Sequence, residues 1–205
     1  MLDKKITVTP LHRDDLLKYI KFVVNQNEAH HGNYNFPLNN IELLHTIFKE
    51  EMSLFNYSNY FVALDGNKQI IGGIRTTEYN SSLTLPMERL FGFSPLRGTT
   101  NCKIWHIGKF AVKKELRSIT IFKELISYAI KPIVVEEDDS LVFAECDAKL
   151  LRTLDRMGIS AEIIGQSIQH LGSETVPVKF HCHALRKYYV NKNETSTVRS
   201  MYRSA

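Results

Sequence analysis

The chain is short of the residues that mark several protein classes. Only three of its 205 residues are cysteine (Cys102, Cys146, Cys182), odd in number and widely spaced. That excludes a disulfide framework and gives no structural zinc pattern; it predicts free thiols in a reducing compartment, and hence the cytoplasm. Ten glycines and six prolines are too few for collagen-like or low-complexity sequence. No apolar run approaches the ~20 residues of a bilayer span, and Met1 to Pro10 alternates charged and apolar residues in a way no signal peptide does. Charge is also scarce: 26 Lys+Arg against 22 Asp+Glu leave a formal +4, so nothing here calls for nucleic acid.

What is present is core material. The chain is 43% hydrophobic, with eleven Phe and nine Tyr, which excludes wholesale disorder. The length suits one domain over residues 1–190, with the polar stretch 191–205 as a flexible tail.

Periodicity supplies the elements. Lys5 to Thr9 alternates with a β period. Leu16, Tyr19, Ile20, Val23 and Val24 form one helical stripe, followed by a polar loop over residues 26–40 and a second helix begun by Asn40. Tyr60 to Leu64 reads as a strand, Asp65-Gly66 as a hairpin turn and Gln69 to Thr77 as the return strand. Residues 80–100 look irregular, and Lys103 to Val112 reads as a third strong strand. A helix started by Ser118, a buried strand over Leu141 to Cys146, and a helix capped by Asp147 and ended by Gly158 follow. Two last strands fall near Ala161–Ile168 and Val176–Leu185. The order β-α-α-β-β-β-α-β-α-β-β predicts an α/β (α+β) class with one curved sheet.

Several residues along this order carry a resemblance. Ile71-Gly72-Gly73-Ile74-Arg75, then Pro86-Met87 and Leu90-Phe91, then Trp105-His106-Ile107-Gly108-Lys109-Phe110-Ala111-Val112, stand in series. With Leu150-Leu151-Arg152, Met157-Gly158, Gly165, Gly172 and Val176-Pro177, the series resembles the acyl-homoserine-lactone synthases and long-chain N-acyl amino acid synthases of the GNAT acyltransferase fold. The resemblance spans about Asn59 to Leu185 and implies a central mixed, mostly antiparallel twisted sheet flanked by helices. His106 stands where that group has Glu, Gly108 where it has Ser, and Lys109 where it has Arg. The stretch from Ser53 to Ser58 has no acid where the lactone synthases carry theirs, so an N-acyl amino acid or other N-acyl product fits better than a lactone.

The resemblance implies an N-acyltransferase that moves a fatty acyl group from a thioester to an amine, with residues 1–58 as a helical cap. It places donor-binding backbone at Phe110, Ala111 and Val112, where a pantetheine arm pairs like an extra strand and a backbone N–H meets the carbonyl oxygen. Catalysis falls to His106, as the base that takes the amine proton, and to Glu145 on the next strand. His106 alternatively hydrogen-bonds a neighbour, and Glu145 a structural partner such as Arg75 or Lys109. Arg75 is positioned to bind the acceptor's carboxylate. Trp105, Phe110, Phe91 and Phe93 either line an acyl tunnel or form plain core.

Arg117, Ser118, Thr120 and Phe122 occupy the phosphate loop, without its glycines. A single phosphopantetheine phosphate needs less room than coenzyme A, and Lys109, Lys113, Lys114 and Lys123 match an acidic acyl carrier protein in sign. No tightly bound cofactor is expected; acyl carrier protein thioester or acyl-CoA is the co-substrate, a small amine the acceptor, and a membrane surface a transient contact for product release. A short-chain acyl-CoA-dependent acetyltransferase, or a silent relative that only binds carrier protein or lipid, are the rivals. His181-Cys182-His183, read as one strand, puts two His on one face and makes no metal site alone. Cys146 reads as a small buried hydrophobe.

Overall fold

The computed structural model describes residues 6–31, 41–80, 82–92, 94, 102–116, 119–135, 140–170 and 173–203. In chain order they form β1 (Thr7–Pro10), α1 (Leu16–His31), α2 (Ile41–Leu54), β2 (Ser58–Leu64), β3 (Ile70–Tyr79), α3 (Pro86–Phe91) and β4 (Ile104–Val112). Then come α4 (Ile119–Val135), β5 (Leu141–Asp147), α5 (Ala148–Arg156), β6 (Ala161–Ile163), β7 (Ile168–His170), β8 (Ser173–His181) and α6 (Cys182–Arg203).

The strands make one sheet in the order β1-β2-β3-β4-β5-β8-β6, with β7 also on β8. Every pairing is antiparallel except β4 with β5. That parallel pairing is short: it joins Ile104–Ile107 to Leu141–Ala144 and stops. Beyond it β4 stays with β3 as far as Val112, while β5 stays with β8 as far as Asp147. The sheet therefore forks after Ile107 and Ala144, between strands held apart by different partners.

A bulge opens the fork. Lys109 has φ 52°, and the β3–β4 register slips between Gly73 and Arg75. An inserted residue reverses the inward–outward alternation and bends its strand. Before the bulge, Trp105 and Ile107 pack in the core under α4; after it, Phe110 and Val112 do so and Ala111 joins the α1 side. The even-numbered side chains of β4 thus change faces at Lys109.

Two layers cover the sheet. The apolar stripe of α4, including Ile121, Leu125 and Ile130, lies on one face with α6 beside it. On the other, Leu16, Tyr19, Ile20 and Val23 of α1 pack on Tyr60 and Val62. The buried positions of α1, Leu16, Tyr19, Ile20 and Val23, all belong to the predicted stripe, and Val24 is part-buried.

Local chemistry sets the boundaries. Asp65 Oδ1 accepts from the Asn67 and Gln69 N–H groups at 2.9 Å each, closing the β2–β3 turn. Asp147 caps α5 by accepting from Lys149 N at 2.8 Å and Leu150 N at 2.7 Å. Gly158 follows that helix at φ 79°, the left-handed conformation that ends it.

Several expectations are corrected. The helix expected to end near Gln26 runs to His31. Within the stretch read as irregular, Pro86–Phe91 is a short helix: Pro occupies its first turn, Glu88 accepts from Leu85 N at 2.8 Å, and Gly92 at φ 62° closes it. The strand expected over 161–168 is two short strands, and the last strand ends at His181. Helix α6 runs through the polar stretch after residue 190 to Arg203; Leu185 and Tyr188 anchor its first turns in the core, and Lys192 meets Glu124 of α4 at 3.0 Å. His181 and His183 therefore share no strand. Asn40, Phe93, Arg117, Ser118 and Gly172 lie outside the described residues.

Candidate active site

Three charged or polar side chains point from adjacent strands to the face opposite α4. Arg75 of β3, His106 of β4 and Glu145 of β5 are joined to Glu51 of α2 in one chain of hydrogen bonds. Arg75 Nη1 donates to Glu51 Oε1 at 2.6 Å, and its Nη2 lies 2.9 Å from His106 Nδ1. His106 Nε2 lies 3.0 Å from both Glu145 oxygens. Arg75, His106 and Glu51 have side chains 0% exposed, whereas that of Glu145 is 13% exposed.

The donors fix the tautomer. A guanidinium has no acceptor, so Arg75 Nη2 donates and His106 Nδ1 accepts. The ring proton is then on Nε2, donated to Glu145. Both ring nitrogens are committed and the ring is closed off from solvent. This corrects the assignment of His106 as the base for the amine: it has no free lone pair to take a proton.

Charge in this chain is balanced internally. Burial alone would push the Glu51 carboxyl up, but Arg75, Lys109 and the Tyr60 hydroxyl outweigh it and hold it below the usual range. Burial opposes the charge on Arg75, and Glu51 more than restores it, so the guanidinium stays charged. For Glu145, too, burial is outweighed, by His106 first and then Arg75 and Lys109, and the carboxyl is held low. It is the member of the chain that meets the open space as an anion.

That space is a cavity of about 190 Å³ at the fork. Its walls are mainly aliphatic: Val23 and Val24 of α1, Ile126 and Ile130 of α4, Leu150 and Leu154 of α5. Phe110 lines it and packs edge-on against Phe122, with centroids 4.9 Å apart. Glu145 and His170 supply polar groups to the same wall system.

The other sequence candidates are placed as follows. Arg75 lines the cavity, but its two terminal nitrogens bond Glu51 and His106, which corrects its assignment to an acceptor carboxylate. Trp105 is not among the residues that line the cavity; it is buried under α4 and borders a separate groove near Tyr57 and Tyr79. Thr120 is exposed at the start of α4, as are Lys113 and Lys123 near it. Lys109 turns inward, Nζ 3.7 Å from Glu51 Oε1, and Lys114 Nζ donates to the Ala29 carbonyl at the end of α1. These two are therefore not free carrier-protein contacts. Cys146 is buried and its thiol pushed up by burial and by Glu145 and Asp147, which keeps it protonated.

Helix α1 is bound along β4 beyond the bulge. Tyr19 donates to the Lys109 carbonyl, Gln26 Oε1 accepts from Lys114 N at 2.9 Å, and His30 Nε2 donates to the Val112 carbonyl at 3.1 Å. Lys113 N bonds Ile71 O across to β3 at 2.9 Å. Val112, one residue earlier, directs its backbone groups the other way, toward the fork. His30 thus occupies a carbonyl on the strand edge assigned to the donor arm.

Two site residues escaped the sequence. Glu51 lies two residues before the acid-free stretch, inside a helix whose register was not tied to Arg75. His170 lies in a short hairpin that carried only its glycines as a signal. Among the described residues no group of three or more His, Cys, Asp and Glu could hold a metal ion, and no helix is long and apolar enough to cross a membrane.

No family model matches the chain, and no curated protein does. Solved structures do. FeeM, an N-acyl amino acid synthase from uncultured soil microbes, is 14% identical, with 90% of this chain and 95% of that chain covered at a TM-score of 0.61. A GNAT-family acetyltransferase from Staphylococcus aureus Mu50 is 14% identical over 87% and 99% of the two chains, TM-score 0.56. TofI, crystallised in a ternary complex with an inhibitor and MTA, is 13% identical over 88% and 96%, TM-score 0.56. The forked mixed sheet with its flanking helices is the GNAT-type acyltransferase fold.

Proposed function

We propose that the protein is an N-acyltransferase that moves a fatty acyl group from a carrier-protein or coenzyme A thioester to the amine of an amino acid or similar small acceptor. One observation carries the reading: a largely aliphatic cavity at the fork of a GNAT sheet that meets the carboxylate of Glu145, whose side chain is only 13% exposed. The apolar walls suit an acyl chain, and an anion beside them suits an ammonium.

The chemistry divides among the residues. The donor's thioester lies along β4 past the bulge, with backbone at Phe110, Ala111 and Val112 aligning the arm and a backbone N–H meeting the carbonyl oxygen as it gains charge. Glu145 holds the acceptor ammonium. Glu51, Arg75 and His106 are positioning residues: they hold Glu145 ionised and its carboxylate in place. Exposed Lys113 and Lys123 beside Thr120 present positive charge where an acidic carrier protein docks. Thr120 and the aromatic Phe122, instead of glycines, favour the single phosphate of a phosphopantetheine over coenzyme A.

Intact-mass detection tests this. The protein is mixed with C2 to C16 acyl carrier protein and acyl-CoA in the presence of pooled amino acids. N-acyl product from long-chain carrier protein supports the reading and its mass names the acceptor. Product from short acyl-CoA alone replaces it with an ordinary acetyltransferase, and carrier-protein binding without turnover replaces it with a silent relative.

A further inference from the structure

An ammonium must lose a proton before it attacks a thioester, and the chain Glu51–Arg75–His106–Glu145 has no group fit to receive it. Arg75 is a permanent cation, His106 is committed at both nitrogens, and Glu145 is a carboxyl held below its ordinary range, a weak base. Among the described residues, one other imidazole lines the same cavity. His170, at the end of β7, is half-buried there. Among the described residues nothing bonds its ring; its backbone carbonyl alone accepts, from Ser173 Oγ. We propose that His170 is the catalytic base that takes the proton from the acceptor ammonium held by Glu145.

The surroundings agree. Burial and the Lys109 ammonium depress the His170 imidazole below the ordinary histidine value, and Glu145 opposes them only in part. The ring is therefore neutral near pH 7 and has a lone pair to offer. Of the other charges nearby, Asp147 also lines the cavity but its Oδ1 caps α5, accepting from Lys149 N and Leu150 N, and Glu174 of β8 accepts from Ser167 Oγ at 2.7 Å. Lys109 and Glu145 are then the groups whose fields His170 feels.

The step balances as follows. His170 takes one proton from the ammonium, and the free amine attacks the thioester carbon. The C–S bond breaks as the C–N bond is made, and the thiolate takes the second proton from the attacking nitrogen. Imidazolium at His170 releases its proton to solvent through the mouth of the cavity.

The inference rests on the acyl-transfer reading, and its test separates the two. With the acceptor and donor found by mass detection, kcat/KM is measured against pH for the wild type and for His170→Gln and His170→Ala. The wild-type rate should rise along an acidic limb with its midpoint below 6.5. Both variants should lose roughly 100-fold or more at neutral pH, and lose that limb. Added imidazole should restore part of the His170→Ala rate while leaving donor affinity unchanged, a response no structural role produces. A variant as fast as wild type across the pH range, or a loss that imidazole does not relieve, overturns the assignment of His170. A wild type silent with every donor overturns the acyl-transfer reading, and the assignment with it.

Discussion

A β-carbon on Gly108 would lie 2.9 Å from His106 Cε1 and 3.1 Å from Arg75 Nη2. The hydrogen bond between those two side chains passes over residue 108, and only glycine leaves room for it. The sequence departs from its resembling family at both positions at once, His for Glu and Gly for Ser, and the contact explains why the two changes belong together. An imidazole reaching from β4 to β3 needs a bare backbone two residues on.

Gly108→Ala should therefore cost about 1–3 kcal/mol by overpacking, since both neighbours are fully buried and cannot yield. In a His106→Ala background the 2.9 Å contact is gone and only the 3.1 Å approach to Arg75 Nη2 remains, so the cost of the added methyl should shrink. Urea unfolding of the four-member cycle measures this coupling. Equal costs in both backgrounds would show that the imidazole is not what residue 108 accommodates.

The buried pair of Glu51 and Arg75, 2.6 Å apart with neither side chain exposed, should be costly to break from one side. Arg75→Met leaves Glu51 without its main counter-charge and should destabilise by about 3–5 kcal/mol. Arg75→Met with Glu51→Leu removes both charges and should be more stable than Arg75→Met alone. Denaturant midpoints decide it; a double variant no better than the single would mean that packing, rather than charge, holds α2 over β3.

Acid should weaken the fold through the same carboxylates. Glu51 and Glu145 have folded-state values below the ordinary one, so the folded state binds their protons less readily than the unfolded chain. The stability they give is complete above the unfolded value of about 4.3 and is lost as pH falls through the folded value. The urea midpoint should drop steeply below about pH 4.3 in the wild type, and less steeply in Glu145→Gln. Identical slopes would rule out Glu145 as a contributor.

The sheet was legible in the sequence wherever burial is two-sided or strictly alternating. Tyr60 to Leu64, Leu141 to Cys146 and the α1 stripe announce themselves, and one curved sheet with helices follows from their order. Short elements did not: Pro86–Phe91 is too brief for a helical period, and β7 spans three residues. Single residues were legible as chemistry but not as partners. His106, Glu145 and Arg75 could be picked out, yet that they form one hydrogen-bonded chain depends on a register across three strands, and the committed state of His106 depends on Arg75 lying against Nδ1. Glu51 and His170 come from a helix and a hairpin whose positions only the folded chain fixes.

Helix α1 leads to the last prediction. His30 Nε2 bonds the Val112 carbonyl at 3.1 Å on the edge that turns toward the fork. If the donor's arm pairs with that edge, the bond to His30 must be given up first, and donor binding is weakened by the free energy of one hydrogen bond. The net value of such a bond is about 1 kcal/mol, or roughly fivefold in affinity. His30→Ala should thus bind a non-hydrolysable acyl-carrier-protein analogue about fivefold more tightly than the wild type, measured by calorimetry, because its β4 edge is already open. Gln26→Ala serves as the control: it loosens α1 at Lys114 without uncovering Val112, and should leave affinity near the wild-type value. Tighter binding confined to His30→Ala supports donor pairing at Val112. Unchanged or weaker binding would place the arm elsewhere and make His30 a plain structural contact between α1 and β4.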